Sequence, residues 1–351
     1  MSSMYGSPPS TQSALQVDNQ VRRVKLPLQS YHKAFEKNQT LVIEFLLLGF
    51  GDLHNLRIPL FIVFLIIHIM ALASNVLVIM LVVANQSLHS PMYFFLSQLS
   101  LSEILFTSNI VPSMLWLILV GSGRLSVDRC ISQFLLLAVP SVTQCLLLAG
   151  MSFDRYVAIC KPLHYTIIVT FGHQIQIVLS CWSVGFALSL VVYIFLKQLK
   201  FCGLNIVNHF FCDIAPLIRL SCSDTYIVET ATAAVSFPVL LSPFMFIVVT
   251  YISILQTIFK IPSTTGRKKT FSTCSSHLII VCLYYGTLSS IYIFPPKENS
   301  VNANKSLSLL YTLVTPLFNP LVYSLRNQDI RAAIQKSIKI WTIDKLTCSS
   351  Y

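Results

Sequence analysis

Seven stretches of this chain run for 20 or more residues with at most one charged side chain, and nothing else in the sequence restricts its fold so strongly. Six windows, 58–88, 130–153, 174–196, 230–259, 270–296 and 306–325, contain no Asp, Glu, Lys or Arg. A seventh, 91–120, contains only Glu103. Each is long enough to cross a hydrocarbon layer of about 30 Å as a helix rising 1.5 Å per residue. An ion at the middle of such a layer costs roughly 2.5–3.5 kcal/mol, so runs free of charge are what a membrane demands. Charged residues are 11% of the chain, against about 25% in a soluble globular protein. The expected fold is all-α: a seven-transmembrane-helix bundle.

Three regions follow. Residues 1–57 form an N-terminal segment expected to be largely disordered: 1–37 is polar, with a Pro8-Pro9 pair. Residues 58–326 hold the seven spans, and 327–351 form a tail. The N-terminal segment has no early apolar run with a cleavage site, so the first span is expected to act as an uncleaved signal. The net charge of +11 forms no single basic stripe, which argues against nucleic acid and for charge flanking a membrane.

Seven spans put the termini on opposite sides. With the C-terminus in the cytosol, 11 Lys and Arg fall inside and 13 outside, but six of the 13 lie in the long N-terminal segment. In short loops and helix ends, which weigh most, the cytosolic side leads 11 to 7. Asn38 opens a glycosylation sequon just before the first span. Cys130, Cys202, Cys212 and Cys222 all fall on the N-terminal side, which is oxidising in a secretory-pathway protein. The expected location is the plasma membrane, multi-pass, N-terminus extracellular. Four cysteines allow three pairings. A bond from Cys130 to the loop 197–229 would pin that loop across the bundle mouth.

Five segments resemble the odorant receptors, a family of rhodopsin-like G-protein-coupled receptors. They are SPMYFFLSQLSLSEI (90–104), MSFDRYVAICKPLHY (151–165), FCGLNIVNHFFCDIAPLIRLSCSDT (201–225), KKTFSTCSSHL (268–278) and PLFNPLVYSLRN (316–327). The likeness covers roughly residues 38–335. There are departures: Ser74 precedes Asn75 where the family usually has Gly, Glu103 replaces its usual Asp, Thr250 precedes Tyr251 in place of Ser, and Phe318 stands for Leu. The longer Glu103 side chain puts the fit of any bound sodium ion in doubt.

The resemblance implies disulfides Cys130–Cys212 and Cys202–Cys222, and a shared polar cluster of Asn75, Glu103 and Asn319. It implies a hinge at Asn319, Pro320 and Tyr323, and a switch at Asp154, Arg155, Tyr156 and Tyr251. It also implies a cytosolic surface that docks a stimulatory G protein. From the residues alone, Pro320 and Pro243 remove helical hydrogen bonds within their spans. Ile330, Ala333, Ile334 and Ile338 share one helical face of 328–339, which reads as a short cytosolic amphipathic helix lying on membrane lipid.

For a ligand, Leu137, Ala138, Ser141 and Val142 lie on one face of the third span, roughly 10–18 Å below Cys130. If that face points inward it meets Ser236 and Val239 on the fifth span, Tyr285, Ser289 and Tyr292 on the sixth, and Thr312 on the seventh. Core packing accounts for the aliphatic members as well as a ligand does. The outer halves of the seven windows contain no charged residue, so the expected ligand is small, neutral and mostly hydrophobic, not a biogenic amine.

No cofactor is implied. His209, Cys212 and Asp213 have a spacing that metals use, but one His and one Cys are a poor set, since structural zinc takes four ligands. No enzyme constellation is present, and His68 and His277 read as packed side chains. A transporter would need a polar path through the bundle, and Glu103 is the only charge deep in any window. A non-olfactory receptor of the same fold is the nearer alternative.

Overall fold

The computed structural model describes residues 41–292, 301–326 and 329–336. Its long helices are α1 (Arg57–Ala84), α2 (Pro91–Val120), α3 (Val127–Cys160), α4 (Phe171–Leu196), α5 (Tyr226–Lys260) and α6 (Thr264–Tyr292). α7 is built from Val301–Leu309, a π-helical turn at Leu310–Val314, and Thr315–Arg326. A short helix, α8, follows at 329–336. Among the described residues, α1 to α5 carry apolar windows of mean hydropathy 1.7 to 2.6, long enough to cross a membrane. α6 and α7 complete the bundle of seven.

The helices start and stop where local chemistry dictates. Ser126 caps α3 by accepting from the Arg129 amide, and Thr170 caps α4 by accepting from that of His173. Pro91 stands in the first turn of α2, where its missing N–H has no partner to lose. Gly121, at φ +84°, ends α2 in a conformation that side chains with a Cβ rarely adopt.

α3 is the axis of the bundle: 56% of its most apolar window is buried, against 22% for α1. It packs on α2, α4, α5 and α6, whereas α1 leans on α2 and α7. Large apolar side chains face outward, among them Ile62, Ile66 and Ile69 on α1 and Phe237, Met245 and Val249 on α5. In water such a surface would aggregate; against lipid it is the expected solution.

Gly185 lets α4 approach α3 closely. A Cβ there would lie 2.5 Å from Thr143 Oγ1 and 3.1 Å from the Val139 carbonyl. Thr143 is held to that same carbonyl at 2.8 Å, so it cannot swing away freely. Gly185→Ala should therefore cost about 1–3 kcal/mol by overpacking and lower the thermal midpoint of the purified receptor by a few degrees. An unchanged midpoint would show that the two helices separate without strain.

One end of the bundle carries a three-stranded sheet that the sequence reading does not foresee. β1 (Glu44–Leu47) lies between β2 (Gly123–Ser126) and β3 (Ile206–Val207). It pairs antiparallel with β2, Glu44 opposite Ser126, and parallel with β3, Leu47 opposite Val207. Phe45 is fully buried, its ring edge-on to Phe201 at 5.0 Å. The end of the N-terminal segment is thus stitched to two loops. At the opposite end, Tyr93 of α2 donates to the Asp329 carboxylate at 2.8 Å and holds α8 against the bundle. Ile330 and Ala333 are buried and Ile334 packs against them. Ile338 lies outside the described residues.

Candidate functional site

A cavity of about 400 Å³ opens among α3, α4, α5, α6 and α7, toward the sheet end. Six expected residues line it: Leu137, Ala138, Ser141 and Val142 from α3, and Ser236 and Val239 from α5. Three others do not. On α6 the wall is made by Tyr284 and Leu288, one residue before Tyr285 and Ser289, and on α7 by Tyr311, one before Thr312. One residue is about 100° of helix, enough to turn a side chain out of a pocket.

The α7 offset has a visible cause. Two α-helical turns counted back from Asn319 reach Thr312. The π turn at Leu310–Val314 takes up one more residue, so the face falls on Tyr311. Thr312 instead donates to the Ser308 carbonyl at 2.8 Å and is fully buried. On α6 two adjacent tyrosines compete. Tyr285 turns to α3 and α5, its hydroxyl 3.4 Å from the Cys145 carbonyl and its ring 5.1 Å from Phe244. Asn38 and the side chains of Tyr292 and Tyr323 lie outside the described residues.

The cavity also draws on two places that helical spacing on α3 cannot reach. α4 supplies Ser189 and Val192, and the loop helix Ile214–Leu220 supplies Ile214 and Ile218. The disulfide Cys130–Cys212 sets that helix over the cavity, two residues from Ile214. The Cys212 amide donates to Gln133 of α3 at 3.0 Å, next to the same bond. A second disulfide, Cys202–Cys222, closes the loop on itself. With its sulfur in a disulfide, Cys212 is no thiolate for a metal. His209 is buried in an aromatic cluster with Phe210 and Phe211. Burial, aided by Lys305, pushes its pKa down to about 3, so the imidazole is neutral at physiological pH.

Charge near the cavity corrects one expectation. α5 begins at Tyr226, four residues before its charge-free window, and so brings Glu229 into the lining. Glu229 is exposed and accepts from Thr225 Oγ1 at 2.7 Å, which places it at the rim. α7 likewise begins at Val301 and carries Lys305, whose amine donates to Asn208 at 2.8 Å. The windows mark where charge is absent, and helices extend past them at a membrane surface.

The α8 end holds the second constellation. Asp154 is fully buried, and both its oxygens are used: Oδ2 accepts from Arg155 Nε at 2.9 Å, and Oδ1 from the Tyr165 hydroxyl at 2.8 Å. Tyr165 closes the motif of the third span, yet its role depends on the chain folding back after Cys160. Tyr156 is half-buried, with the Lys161 amine 5.9 Å from its ring. Tyr251 of α5 hydrogen-bonds His277 Nδ1 at 2.7 Å, and the two rings stack.

Between the two ends, Asn319 donates to the buried Glu103 carboxylate. Asn75 does not reach Glu103. It donates to the Pro316 carbonyl at 3.0 Å, the acceptor that Pro320, having no N–H, leaves without its helical donor. Asn75 therefore repairs the break that Pro320 makes in α7.

This fold is a seven-helix bundle of the rhodopsin type. The crystal structure of squid rhodopsin superposes with a TM-score of 0.64, covering 84% of this chain and 88% of that one at 15% identity. A profile of the olfactory receptor family matches residues 64–340. Human olfactory receptor 10R2 is 44% identical over 300 residues, 86% of this chain and 90% of its own length. Human olfactory receptor 6Q1 is 42% identical over 311 residues, 88% and 98%. Human olfactory receptor 6B1 is 41% identical over 300 residues, 86% and 96%. The chain belongs to the olfactory receptor family, and is a multi-pass G-protein-coupled receptor.

Proposed function

We propose that this receptor binds small, neutral, mostly hydrophobic odorants in the cavity beneath the sheet and activates a stimulatory heterotrimeric G protein at the α8 end. The observation that carries this reading is the cavity itself: about 400 Å³, walled by aliphatic and aromatic side chains with a few hydroxyls. Its deep wall holds no ion, and stripping water from a charged ligand there is expensive. In this reading the protein sits in the plasma membrane with the sheet outside, where the disulfides are in an oxidising compartment and Asn38 is open to glycosylation. Lys260, Arg267, Arg331 and Lys336 then face the cytosol, in keeping with positive-inside topology. Residues 1–57, 58–326 and 327–351 act as outer segment, receptor bundle and cytosolic tail. Asp154, Arg155, Tyr156, Tyr251, Asn319, Pro320 and Tyr323 form the switch.

The test is cyclic-nucleotide response in cells to a homologous series with neutral, acidic and amine end groups. Neutral members should activate at the lowest concentrations. Glu229 makes the amine arm specific. Because it stands at the rim, Glu229→Gln should leave neutral ligands within about twofold, while any weak amine response falls by about threefold or more, as for a partly solvated ion pair. Strongest activation by charged members would overturn the proposal.

A further inference from the structure

Almost every side-chain proton bordering the cavity is already in use. Tyr284 donates to the Ser141 carbonyl at 2.7 Å, Tyr311 to Ser141 Oγ at 2.8 Å, and Ser141 itself to the Leu137 carbonyl at 2.7 Å. The Cys145 thiol donates to the Tyr284 hydroxyl at 3.5 Å, and Thr232 to the Val228 carbonyl at 2.6 Å. The hydroxyl oxygen of Ser189 is buried, out of a ligand's reach. Glu229, as a carboxylate, only accepts. Ser189 apart, these groups can accept from a ligand, and none has a proton to give.

Ser236 of α5 is the exception. It lines the cavity, is exposed, and has no hydrogen-bond partner among the described residues. Its direction follows from helical spacing. At about 100° per residue, the α5 residues that line the cavity fall within an arc of about 160°, from Val235 round to Ala233, and Ser236 sits about 20° from its middle. Phe237 falls about 40° outside that arc and is 66% exposed, on the outward side. The exposure of Ser236 is therefore exposure to the cavity. Glu229 stands at the rim on the same stripe, about 10 Å further out along the helix.

A carbonyl or ether oxygen can only accept, so Ser236 is the one described side chain in the wall that can meet it. An alcohol also donates, and its proton can go to the remaining lone pairs of Ser141 or Thr232. A hydrocarbon does neither. We propose that Ser236 is the hydrogen-bond donor that holds the oxygen of carbonyl- and ether-bearing odorants. It sets that end of the ligand against α5 and turns the hydrocarbon end toward Leu137 and Val142 of α3 and Leu288 of α6. This rests on the odorant-binding reading of the cavity.

The experiment uses the full-length receptor purified in detergent and titrated with octanal, octanol and octane, ligand binding being followed by thermal stabilisation. Ser236→Ala should weaken octanal about 3- to 10-fold, the worth of one net hydrogen bond. Octane should stay within about twofold, and octanol should lose less than octanal because its own proton still finds an acceptor. Ser236→Cys keeps the shape but donates weakly, so it should lose octanal as the Ala variant does. Both variants should reach wild-type yield, since the hydroxyl they remove bonds no other described residue. Equal shifts for octanal and octane, no shift for octanal, or full octanal affinity in the Cys variant would overturn the assignment while leaving the cavity as the binding site. If none of the three probes stabilises the wild type, the odorant-binding reading falls and the assignment with it.

Discussion

Arg155→Ala should bind odorant with affinity within about twofold of wild type, yet lose G-protein activation by at least about tenfold. The size follows from what arginines contribute at the centres of protein interfaces, where truncation typically costs 2 kcal/mol or more. The separation of effects follows from distance. Arg155 lies 14 residues beyond Ser141 on α3, about 21 Å along the helix axis. Its guanidinium is bound to Asp154, which also receives the Tyr165 hydroxyl, so Arg155 is held and not free in this structure. Its side chain is 15% exposed, at the edge of the bundle, where a partner could reach it.

A complication follows from the same geometry. Deleting Arg155 leaves the buried Asp154 carboxylate with Tyr165 alone, and an orphaned buried ion costs about 3–5 kcal/mol. Asp154→Asn combined with Arg155→Ala removes both charges and separates misfolding from lost coupling. Cell-surface labelling, thermal shift with octanal, and cyclic-nucleotide response should be measured on all three proteins. Asp154→Asn alone should raise the unstimulated signal, because Arg155 loses its partner. A full response from Arg155→Ala at normal surface level would exclude it from the switch.

The architecture was legible because a membrane simplifies the reading. Seven windows with at most one charge identify seven helices, since hydrocarbon permits almost nothing else. The inward face of α3 was legible too, because one regular helix fixed by Cys130 and Arg155 gives a reliable count. What stayed hidden is what periodicity cannot encode. The π turn at Leu310–Val314 shifts α7 by one residue, and no local pattern announces it. Tyr284 and Tyr285 look alike to any helical count, and only packing decides which meets the cavity. Ser189 is the buried one among several hydroxyls on α4, and burial is a tertiary fact. The strand Glu44–Leu47 was obscured because its partners lie about 80 and 160 residues away in Gly123–Ser126 and Ile206–Val207. Asn75 illustrates the reverse. Pro320 foretells an unpaired carbonyl, but only the fold shows that Asn75, from the first helix, satisfies it.

Breaking the Cys130–Cys212 bond should do more damage than breaking Cys202–Cys222. The sequence separations are 82 and 20 residues. On chain entropy alone, closing such loops stabilises by about 4.5 and 3.3 kcal/mol. That difference is modest, and in a membrane α3, α4 and α5 stay inserted, which shrinks both values. Position separates the two bonds further. Cys130 is in α3 and Cys212 stands just before Asp213, which caps the loop helix Ile214–Leu220 through the Ile214 amide at 2.7 Å. Freeing Cys212 lets Ile214 and Ile218 leave the cavity wall and opens it to water. Cys202 and Cys222 instead tie two strands of the same loop, which the Cys222 amide already joins through the Lys200 carbonyl at 2.9 Å. Cys130→Ser with Cys212→Ser should therefore weaken octanal by about tenfold or more and lower surface expression. Cys202→Ser with Cys222→Ser should keep affinity within about threefold. Paired substitutions are needed, because a lone thiol left at either site can exchange with the remaining disulfide. Peptide maps of unreduced wild-type protein settle the premise: a Cys130 to Cys202 link would refute the pairing, and equal losses from the two double variants would show that the bond over the cavity has no special role.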